Sequence, residues 1–317
     1  MGKINGELRV FSLSSHPDLA NRISDTLEIS RGNIKLSRFS CGELYTRVTE
    51  NIRGHEVYLV QTATADVNND VLELLIAVDS CKRASARSIN VIVPHFPYSR
   101  QDKKSASREP ITARLIANLL EAAGIDRIIT MDLHADQIQG FFNVPVDHLN
   151  SLVLFVKYFR DIIGGQTKDY VVVSPDTGRA KACKKLADKL GVELAILHKS
   201  RPDHNVSEVL HVIGNVKGKN CVIYDDIIDT AGSIQNALAV LTAHGAKAVY
   251  VAATHAVFSG PAAQRLNACR FKEIVVTNTI PQSQKIKNLA IIDTVPLFAE
   301  VIKRNHEHTS ISELYDI

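Results

Sequence analysis

The sequence contains no run of about 18 apolar residues, the length that a helix needs to cross a bilayer. Its amino terminus also lacks the apolar core of a secretory signal. Gly2 follows Met1 as in myristoylation signals, but position six holds Gly6 where that motif requires Ser or Thr. We therefore expect no membrane partner and a cytoplasmic protein.

Cysteine is scarce and scattered. The five cysteines are odd in number, and no two of them form a C-x-x-C pair. A disulfide framework and a structural zinc site are therefore not expected, and the reducing cytoplasm is the predicted compartment.

Net charge is also small. Thirty-seven basic and thirty-four acidic residues give a formal charge of +3, which does not indicate a nucleic-acid-binding protein. An anionic ligand would therefore need a local site. Apolar residues make up 45% and charged residues 22%, which is typical of a globular protein, and 317 residues suggest about two domains.

Short apolar runs rich in β-branched residues alternate with helical patterns along the chain. The runs are continuous rather than alternating, which predicts strands buried on both faces of a parallel sheet. The predicted strands are Leu8–Ser12, Val57–Gln61, Ile89–Val93, Ile128–Met131, Tyr170–Ser174, Glu193–Leu197, Cys221–Asp225, Ala248–Ala252 and Ile274–Thr277.

The helices between these strands have recognisable ends. One begins near Pro110, ends at Gly124, and places five apolar residues on one face. Further helices are predicted from about Asp70, from about Arg179 to Gly191, and after Gly232. The five apolar residues of the helix that ends at Gly124 are Ile111, Leu115, Ile116, Leu119 and Leu120. Alternation of this kind predicts an α/β fold with doubly wound parallel sheets.

The pattern of strand, loop, helix and strand occurs twice. Residues 57–95 and 221–255 share it, and in each copy the second strand ends in a histidine, His95 or His255. We predict tandem copies of one α/β domain, residues 1–148 and 149–317, although α/β units in general resemble one another at this level.

The segment 221–233 carries the strongest functional signal. A buried strand ends in Asp225 and Asp226, and a turn containing Thr230 leads into a helix at Gly232. Strand ends and helix N-termini bind phosphates in such folds. The two acids would repel a phosphate and should face sugar hydroxyls, a metal ion, or both. A sugar phosphate satisfies these requirements, whereas simple capping of the helix would need only one acid.

This segment resembles the phosphoribosyl-pyrophosphate binding motif of the type I phosphoribosyltransferase fold. Further segments narrow the resemblance to the ribose-phosphate pyrophosphokinase family, and the similarity is colinear from about Val10 to the last ten residues. These segments are 96–104 (FPYSRQDKK), 131–135 (MDLHA), 139–142 (QGFF), 174–176 (SPD), 258–261 (FSGP) and 276–280 (VTNTI).

The resemblance implies an enzyme of two tandem phosphoribosyltransferase-like domains. It implies that the β,γ-pyrophosphoryl group of ATP is transferred to the C1 hydroxyl of ribose 5-phosphate, giving AMP and 5-phospho-α-ribosyl 1-pyrophosphate with Mg²⁺. The residues matching the ribose 5-phosphate site are Asp225, Asp226, Asp229, Thr230, Gly232 and Ser233.

Other positions match the remaining functions of the family. Lys199 and Arg201 match a catalytic loop, and His134 and Asp176 match the Mg²⁺-contacting positions, while Asp132 stays ambiguous. The matches to the ATP-binding positions are Phe39, Cys41, Glu43, Arg100 and Gln101. A run of cations such as that around Arg100 is often only a solvated loop, but a triphosphate is a better reason to concentrate charge there.

Regulation and assembly are also implied. The resemblance predicts activation by inorganic phosphate, inhibition by ADP, and a homohexamer. The matching residues are Arg53, Ser107, Arg108, Ser310 and Ser312.

The sequence departs from the family pattern at a few positions. Cys41 stands where Asp or Asn is usual, and a thiol is a poor acceptor for the adenine amino group. Arg179 stands where many members have Gly, and its charge fits either a phosphate contact or a local salt bridge. Ser233 and Asn51 replace a usual Thr and Ser.

Three other functions would explain parts of the sequence. A phosphoribosyltransferase would consume the product with a base, but it usually has one copy of the fold. A non-catalytic regulatory subunit would have lost ligands such as Lys199 and His134. A transcriptional regulator would need a DNA-binding segment, which we do not find in the sequence.

Overall fold

The computed structural model describes residues 7–200 and 209–315. Within this part the chain forms two compact units. Unit 1 contains the described residues up to Asn150, the short segment Thr279–Pro281, and the described residues from Asp293 onward. Unit 2 contains Ser151–Asn278 and Gln282–Ile292.

Strands and helices alternate through most of the described chain. The strands are β1 (Leu8–Ser12), β2 (Ile34–Arg38), β3 (Leu44–Val48), β4 (Glu56–Val60), β5 (Ser88–Val93), β6 (Arg127–Met131), β7 (Val146–Leu149), β8 (Tyr170–Ser174), β9 (Glu193–Ser200), β10 (Val209–Ile213), β11 (Asn220–Ile228), β12 (Ala248–Ala256), β13 (Glu273–Thr277) and β14 (Leu289–Ile292). The α-helices are α1 (Pro17–Thr26), α2 (Val67–Arg83), α3 (Thr112–Ala123), α4 (Leu152–Ile163), α5 (Ala180–Leu190), α6 (Gly232–Ala243), α7 (Ala262–Ala268) and α8 (Val295–His306).

Each unit is built on one mainly parallel sheet. The unit 1 sheet has the order β1-β4-β5-β6-β7, and all its pairs are parallel. The unit 2 sheet has the order β10-β9-β8-β11-β12-β13-β14, and only the β9–β10 pair is antiparallel. The predicted α/β fold with parallel sheets is confirmed.

The register of the strands reveals the internal repeat. In unit 1, Val57 pairs with Ile89, and in unit 2 Cys221 pairs with Val249. When the β4–β5 and β11–β12 registers are followed toward the carboxyl ends of β5 and β12, His95 and His255 fall at equivalent positions. In the same comparison the β2–β3 hairpin of unit 1, a separate two-stranded sheet, corresponds to β9–β10, which stays in the main sheet of unit 2.

Helices cover both faces of each sheet. In unit 2, α6 and α7 pack on one face, and α4 and α5 pack on the other. In unit 1, α2 and α3 cover one face, while α1 and α8 cover the other. The carboxyl-terminal helix α8 therefore takes in unit 1 the place that α4 takes in unit 2.

This placement of α8 differs from the division expected from the sequence. The sequence predicts one domain over 149–317, whereas residues from Asp293 onward lie in unit 1. Val295, Phe298 and Val301 of α8 are buried against the unit 1 sheet. A hydrophobic stripe shows that a helix packs on something, but not on which sheet it packs.

The α3 helix also differs in which apolar residues it buries. Ile116 and Leu120 face the core as expected, but Leu115 is 52% and Leu119 40% exposed. Ala113 and Ala117 complete the buried face instead. Neighbouring helix positions are about 100° apart around the axis, so an apolar stripe can be wider than the face that is buried.

Gly32 lies against the buried ring of Phe11. A Cβ built on Gly32 would lie 2.4 Å from two carbons of that ring. The Gly32 N–H donates to the carbonyl of Val10 at 2.8 Å, which holds the backbone against β1.

We predict that Gly32→Ala lowers the free energy of unfolding by about 1–3 kcal/mol, because the methyl group overpacks the core. The measurement is a denaturant titration followed by circular dichroism. Gly140→Ala is the matched control, since nothing lies within 4 Å of a Cβ at Gly140. Equal midpoints for the two variants would contradict the prediction.

Among the described helices, none has both the length and the apolar character required to cross a bilayer.

Candidate functional site

The acid pair lies at the end of β11 in unit 2. Asp226 is 3% exposed, and its backbone N–H donates to Oδ1 of Asp225 at 2.9 Å. The neighbouring strands β8 and β12 run parallel to β11, so their loops emerge at the same edge of the sheet. The predicted acids therefore lie where open α/β sheets bind ligands.

The turn after the acids leads directly into α6. Ala231 adopts a left-handed conformation, with φ of 61°, and the first helical hydrogen bond runs from the Gln235 N–H to the Ala231 carbonyl. The amides before Gln235 have no acceptor within the helix. Thr230 and Ser233 are exposed beside them. This geometry suits a phosphate group.

Two residues that the sequence analysis gave no role hold this turn in place. The Ser259 hydroxyl donates to the carboxylate of Asp229, and the Ser259 N–H donates to the Asp229 carbonyl at 3.1 Å. Nη1 of Arg265, on α7, donates to the Thr230 carbonyl at 2.9 Å. Asp229 thus contributes to the shape of the turn. Its contact with Ser259 joins residues thirty positions apart, so no local sequence pattern indicates it.

Arg179 lies against both acids. Its Nε is 3.5 Å from Oδ1 of Asp225 and 3.9 Å from Oδ1 of Asp226. All three side chains are at most 20% exposed. Of the two interpretations of Arg179 left open by the sequence, the structure shows the salt bridge.

The environment of Asp225 disfavours its ionised form. Burial and the adjacent Asp226 carboxylate raise the pKa of Asp225 well above its ordinary value. Arg179 and the Asp226 N–H act in the opposite direction without outweighing these effects. At Asp225 the folded protein therefore retains a proton over a pH range in which the unfolded chain has lost it.

This pKa shift predicts how Asp225→Asn changes stability. A raised acid pKa makes the wild type lose stability as pH rises from the unfolded value, about 3.9, through the folded value. The variant avoids this loss, so its Tm should exceed that of the wild type at about pH 8 and match it at about pH 4. Thermal melts at both pH values test this. Asp188→Asn, which alters an exposed carboxylate on α5, should show no such difference. A lower Tm for Asp225→Asn at the higher pH would contradict the prediction.

Asp176 lies in the loop between β8 and α5, also in unit 2. Its Oδ1 accepts the Arg179 N–H at 3.0 Å, and its carbonyl accepts the Ser174 hydroxyl at 2.6 Å. The structure thus places Asp176 and the acid pair on neighbouring strand ends of one sheet.

His134 belongs to unit 1, where it is exposed just after β6. The loop that carries it is held by His148, a residue the sequence analysis gave no role: His148 Nε2 accepts the Leu133 N–H at 2.9 Å. Burial lowers the pKa of His148, although Asp132 and Asp136 oppose the shift. A lowered pKa favours the neutral imidazole, which is the form that can accept this hydrogen bond.

The residues predicted to bind ATP lie in two parts of unit 1. Phe39, Cys41 and Glu43 occupy the exposed turn of the β2–β3 hairpin. The ring of Phe39 is 54% exposed and packs edge-on against Tyr45.

Arg100 and Gln101 follow β5 and are exposed. The Gln101 carbonyl accepts the Ala113 N–H at 3.2 Å and its side-chain oxygen accepts the Thr112 hydroxyl at 2.5 Å, so this loop is joined to the start of α3.

The described part of the chain includes one of the two residues predicted to be catalytic and all five predicted to be regulatory. Lys199 lies in β9, and Arg201 lies outside the described residues. The residues predicted to bind phosphate or ADP are all in unit 1 and exposed; they are Arg53, Ser107, Arg108, Ser310 and Ser312.

Comparison with known sequences decides the family. The N-terminal domain of ribose phosphate pyrophosphokinase matches residues 8–124, and the phosphoribosyl synthetase-associated domain matches residues 202–316. The chain belongs to the ribose-phosphate pyrophosphokinase family. Members of this family are transferases of the kinase type, so the predicted enzyme class is confirmed.

Several ribose-phosphate pyrophosphokinases are similar to this chain over nearly its whole length. The Bacillus subtilis protein is 48% identical over 310 residues, 97% of each chain. The Bacillus caldolyticus protein is 46% identical and covers both chains completely. The crystal structure of phosphoribosylpyrophosphate synthetase from Mycobacterium smegmatis, 43% identical, covers 95% of this chain and 99% of its own with a TM-score of 0.90.

Within this member of the family, the two units differ at the equivalent strand end. The strand register places Gln61 and Thr62 of unit 1 where unit 2 has Asp225 and Asp226. Gln61 Nε2 donates to Glu73 Oε1 at 3.1 Å, and Gln61 Oε1 accepts the Ser15 N–H at 3.0 Å. The Gln61 side chain is therefore hydrogen-bonded within unit 1 there, and of the two units only unit 2 carries the acid pair at this position.

Proposed function

We propose that the acid pair and turn of unit 2 form the ribose 5-phosphate site of this enzyme. The reaction transfers the β,γ-pyrophosphoryl group of ATP to the C1 hydroxyl of ribose 5-phosphate and yields AMP and 5-phospho-α-ribosyl 1-pyrophosphate for nucleotide biosynthesis. The observation that carries the site assignment is the pair of half-buried Asp225 and buried Asp226, which one short turn separates from the α6 N-terminus.

Each part of the site binds a different part of the sugar phosphate. The carboxylates of Asp225 and Asp226 accept hydrogen bonds from ribose hydroxyls. The amides at Gly232 and Ser233, together with the Thr230 and Ser233 hydroxyls, donate to the 5-phosphate. Asp229 keeps the turn in this shape through its contact with Ser259.

ATP binds through residues of unit 1. The exposed ring of Phe39 offers a surface on which adenine stacks, while Cys41 and Glu43 lie beside it on the same turn. Arg100 and Gln101 contact the phosphates. Since a thiol is a weak acceptor, we expect Cys41 to give poor discrimination between adenine and guanine.

Lys199 and Arg201 supply the catalytic charge. The C1 hydroxyl of ribose 5-phosphate attacks the β-phosphorus of ATP and AMP leaves, so negative charge must be stabilised on the phosphate oxygens. In pyrophosphoryl transfer the protein contributes little covalent chemistry. The reaction depends instead on positioned cations that also exclude water.

The residues present are compatible with Mg²⁺. Among the described residues, no group of three or more potential ligands surrounds one point, which fits a cation that keeps its waters and substrate phosphates as ligands. Asp176 offers a carboxylate oxygen and His134 a ring nitrogen, and each is proposed to contact the ion. When bound, Mg²⁺ neutralises charge on the triphosphate.

Assembly and regulation are proposed to follow the family pattern. We infer a homohexamer activated by inorganic phosphate and inhibited by ADP, with Arg53, Ser107 and Arg108 contacting the anion together with Ser310 and Ser312. The five free thiols and the phosphorylated substrates suit a cytoplasmic enzyme.

Formation of AMP tests the proposal. The purified protein is mixed with ATP, Mg²⁺ and phosphate, with and without ribose 5-phosphate, and then with GTP in place of ATP. We expect sugar-dependent AMP and measurable GMP. Pyrophosphate release from added 5-phospho-α-ribosyl 1-pyrophosphate and a purine base would instead indicate a phosphoribosyltransferase, and no nucleotide product in either mixture would indicate a regulatory subunit.

A further inference from the structure

The acid pair already has a cation of its own. Arg179 approaches Asp225 and Asp226 with its Nε at 3.5 and 3.9 Å. Consecutive residues of a strand normally point to opposite faces, and Arg179 lies close enough to the strand end to reach both. Its side chain is 19% exposed, so this charge is partly shielded from solvent.

The packing of α5 fixes this position. Arg179 immediately precedes α5, and Cys183 follows four residues later on the same helix face. The Cys183 thiol donates to the Tyr224 carbonyl at 3.2 Å, and Tyr224 directly precedes Asp225. The first turn of α5 is therefore attached to β11 beside the acid pair.

The loop before α5 adds a second restraint. Asp176 Oδ1 accepts the Arg179 N–H at 3.0 Å, and a Cβ at Gly178 would lie 3.2 Å from the same oxygen. The absence of a side chain at Gly178 thus allows the loop to close tightly over the end of β8. Arg179 is directed to the acid pair by its backbone as well as by its charge.

We propose that Arg179 is the built-in counter-cation of the ribose-binding acid pair and allows ribose 5-phosphate to bind unit 2 without a divalent cation. Negative charges on this acid pair would repel the dianionic 5-phosphate bound a few residues away. The guanidinium offsets one of these charges and is permanently charged, so it removes the need for a metal ion at this step. The inference rests on the proposed ribose 5-phosphate site.

Binding of ribose 5-phosphate is measured by calorimetry in EDTA and again in Mg²⁺. The wild type should bind with the same affinity in both. Arg179→Met, which keeps the backbone N–H to Asp176, should bind about tenfold more weakly in EDTA, equivalent to about 1.4 kcal/mol, and recover in Mg²⁺. Arg179→Lys should stay close to the wild type, because it keeps the charge. Lys181→Met removes an exposed charge from the same helix and should change nothing.

A second readout is independent of the sugar. Mn²⁺ binding, followed by electron paramagnetic resonance without substrates, should be tighter in Arg179→Met than in the wild type, because the variant exposes two carboxylates without their counter-cation. A merely structural role for Arg179 would leave the affinity for Mn²⁺ unchanged or weaker.

The outcomes separate this inference from the proposed site. Equal affinity of Arg179→Met and wild type in EDTA would overturn the role of Arg179, as would wild-type binding that needs Mg²⁺. A wild type that fails to bind ribose 5-phosphate under every condition would instead overturn the proposed site itself.

Discussion

Replacing Lys199 with alanine is expected to lower kcat about 10²–10³-fold, the effect seen when one preorganised donor to a developing anionic charge is removed. The reason is that negative charge shifts among phosphate oxygens during pyrophosphoryl transfer, and Lys199 is proposed to stabilise that charge. The KM for ATP should change much less, because the lysine acts mainly in the transition state.

Lys185→Ala provides the control for Lys199. Lys185 is an exposed lysine on α5 of the same unit, so its loss changes the net charge equally without removing the proposed contact. Steady-state measurement of AMP formation gives both constants. Full activity of Lys199→Ala would contradict the assignment of the catalytic charge to this residue.

Replacing Asp226 with asparagine is expected to lower kcat/KM for ribose 5-phosphate about 10²-fold. Asp226 is 3% exposed and lies 3.9 Å from Arg179. The Asp226 carboxylate is proposed to accept a hydrogen bond from a ribose hydroxyl, and loss of a hydrogen bond to a charged group costs about 1.5–3 kcal/mol, a range that includes a loss of about 10²-fold. The KM for ATP should change much less, since Asp226 is not among the residues proposed to bind ATP.

The matched control for Asp226 is Asp188→Asn. Asp188 is an exposed carboxylate that pairs with Lys184 within α5, and its neutralisation should leave both kinetic constants unchanged. Circular dichroism of each variant checks that the fold is retained. A change confined to the KM for ATP would show that Asp226 is not part of the sugar site.

The elements that the sequence predicted best are those with strong local patterns. All nine predicted strands are present, and Gly124 and Gly191 end their helices in left-handed conformations, as expected. Continuous apolar runs are distinctive because a strand in a parallel sheet buries both faces. The hairpin strands β2 and β3 lack that signal, because each of their residues is only partly buried or is exposed.

Packing between distant elements could not be predicted in the same way. The stripe on α8 fits either unit, and the structure places it in unit 1. The wide apolar face of α3 gave no indication that Leu115 would remain exposed. Both outcomes depend on the shape of the surrounding sheet, which periodicity does not describe.

In the candidate site, too, the residues of a local motif could be predicted and the residues distant in sequence could not. Asp225, Asp226 and Thr230 are found in one short motif, because a strand end and a helix start must lie next to each other in sequence. Ser259 and Arg265 reach the turn from about thirty residues away and carry no motif that assigns them this role. The role of Arg179 was inferred from its distance to the two acids, and the position of Arg179 after Gly178 in the sequence does not indicate that distance.

The fate of the β-phosphorus tests the central claim most directly. ATP labelled at the β-phosphorus is incubated with the protein, Mg²⁺ and ribose 5-phosphate, and the nucleotide and sugar products are separated. Transfer of the β,γ-pyrophosphoryl group predicts unlabelled AMP and label in the sugar product, in equal molar amounts. Label retained in ADP, with a singly phosphorylated C1 on the sugar, would show transfer of the γ-phosphoryl group alone and contradict the account.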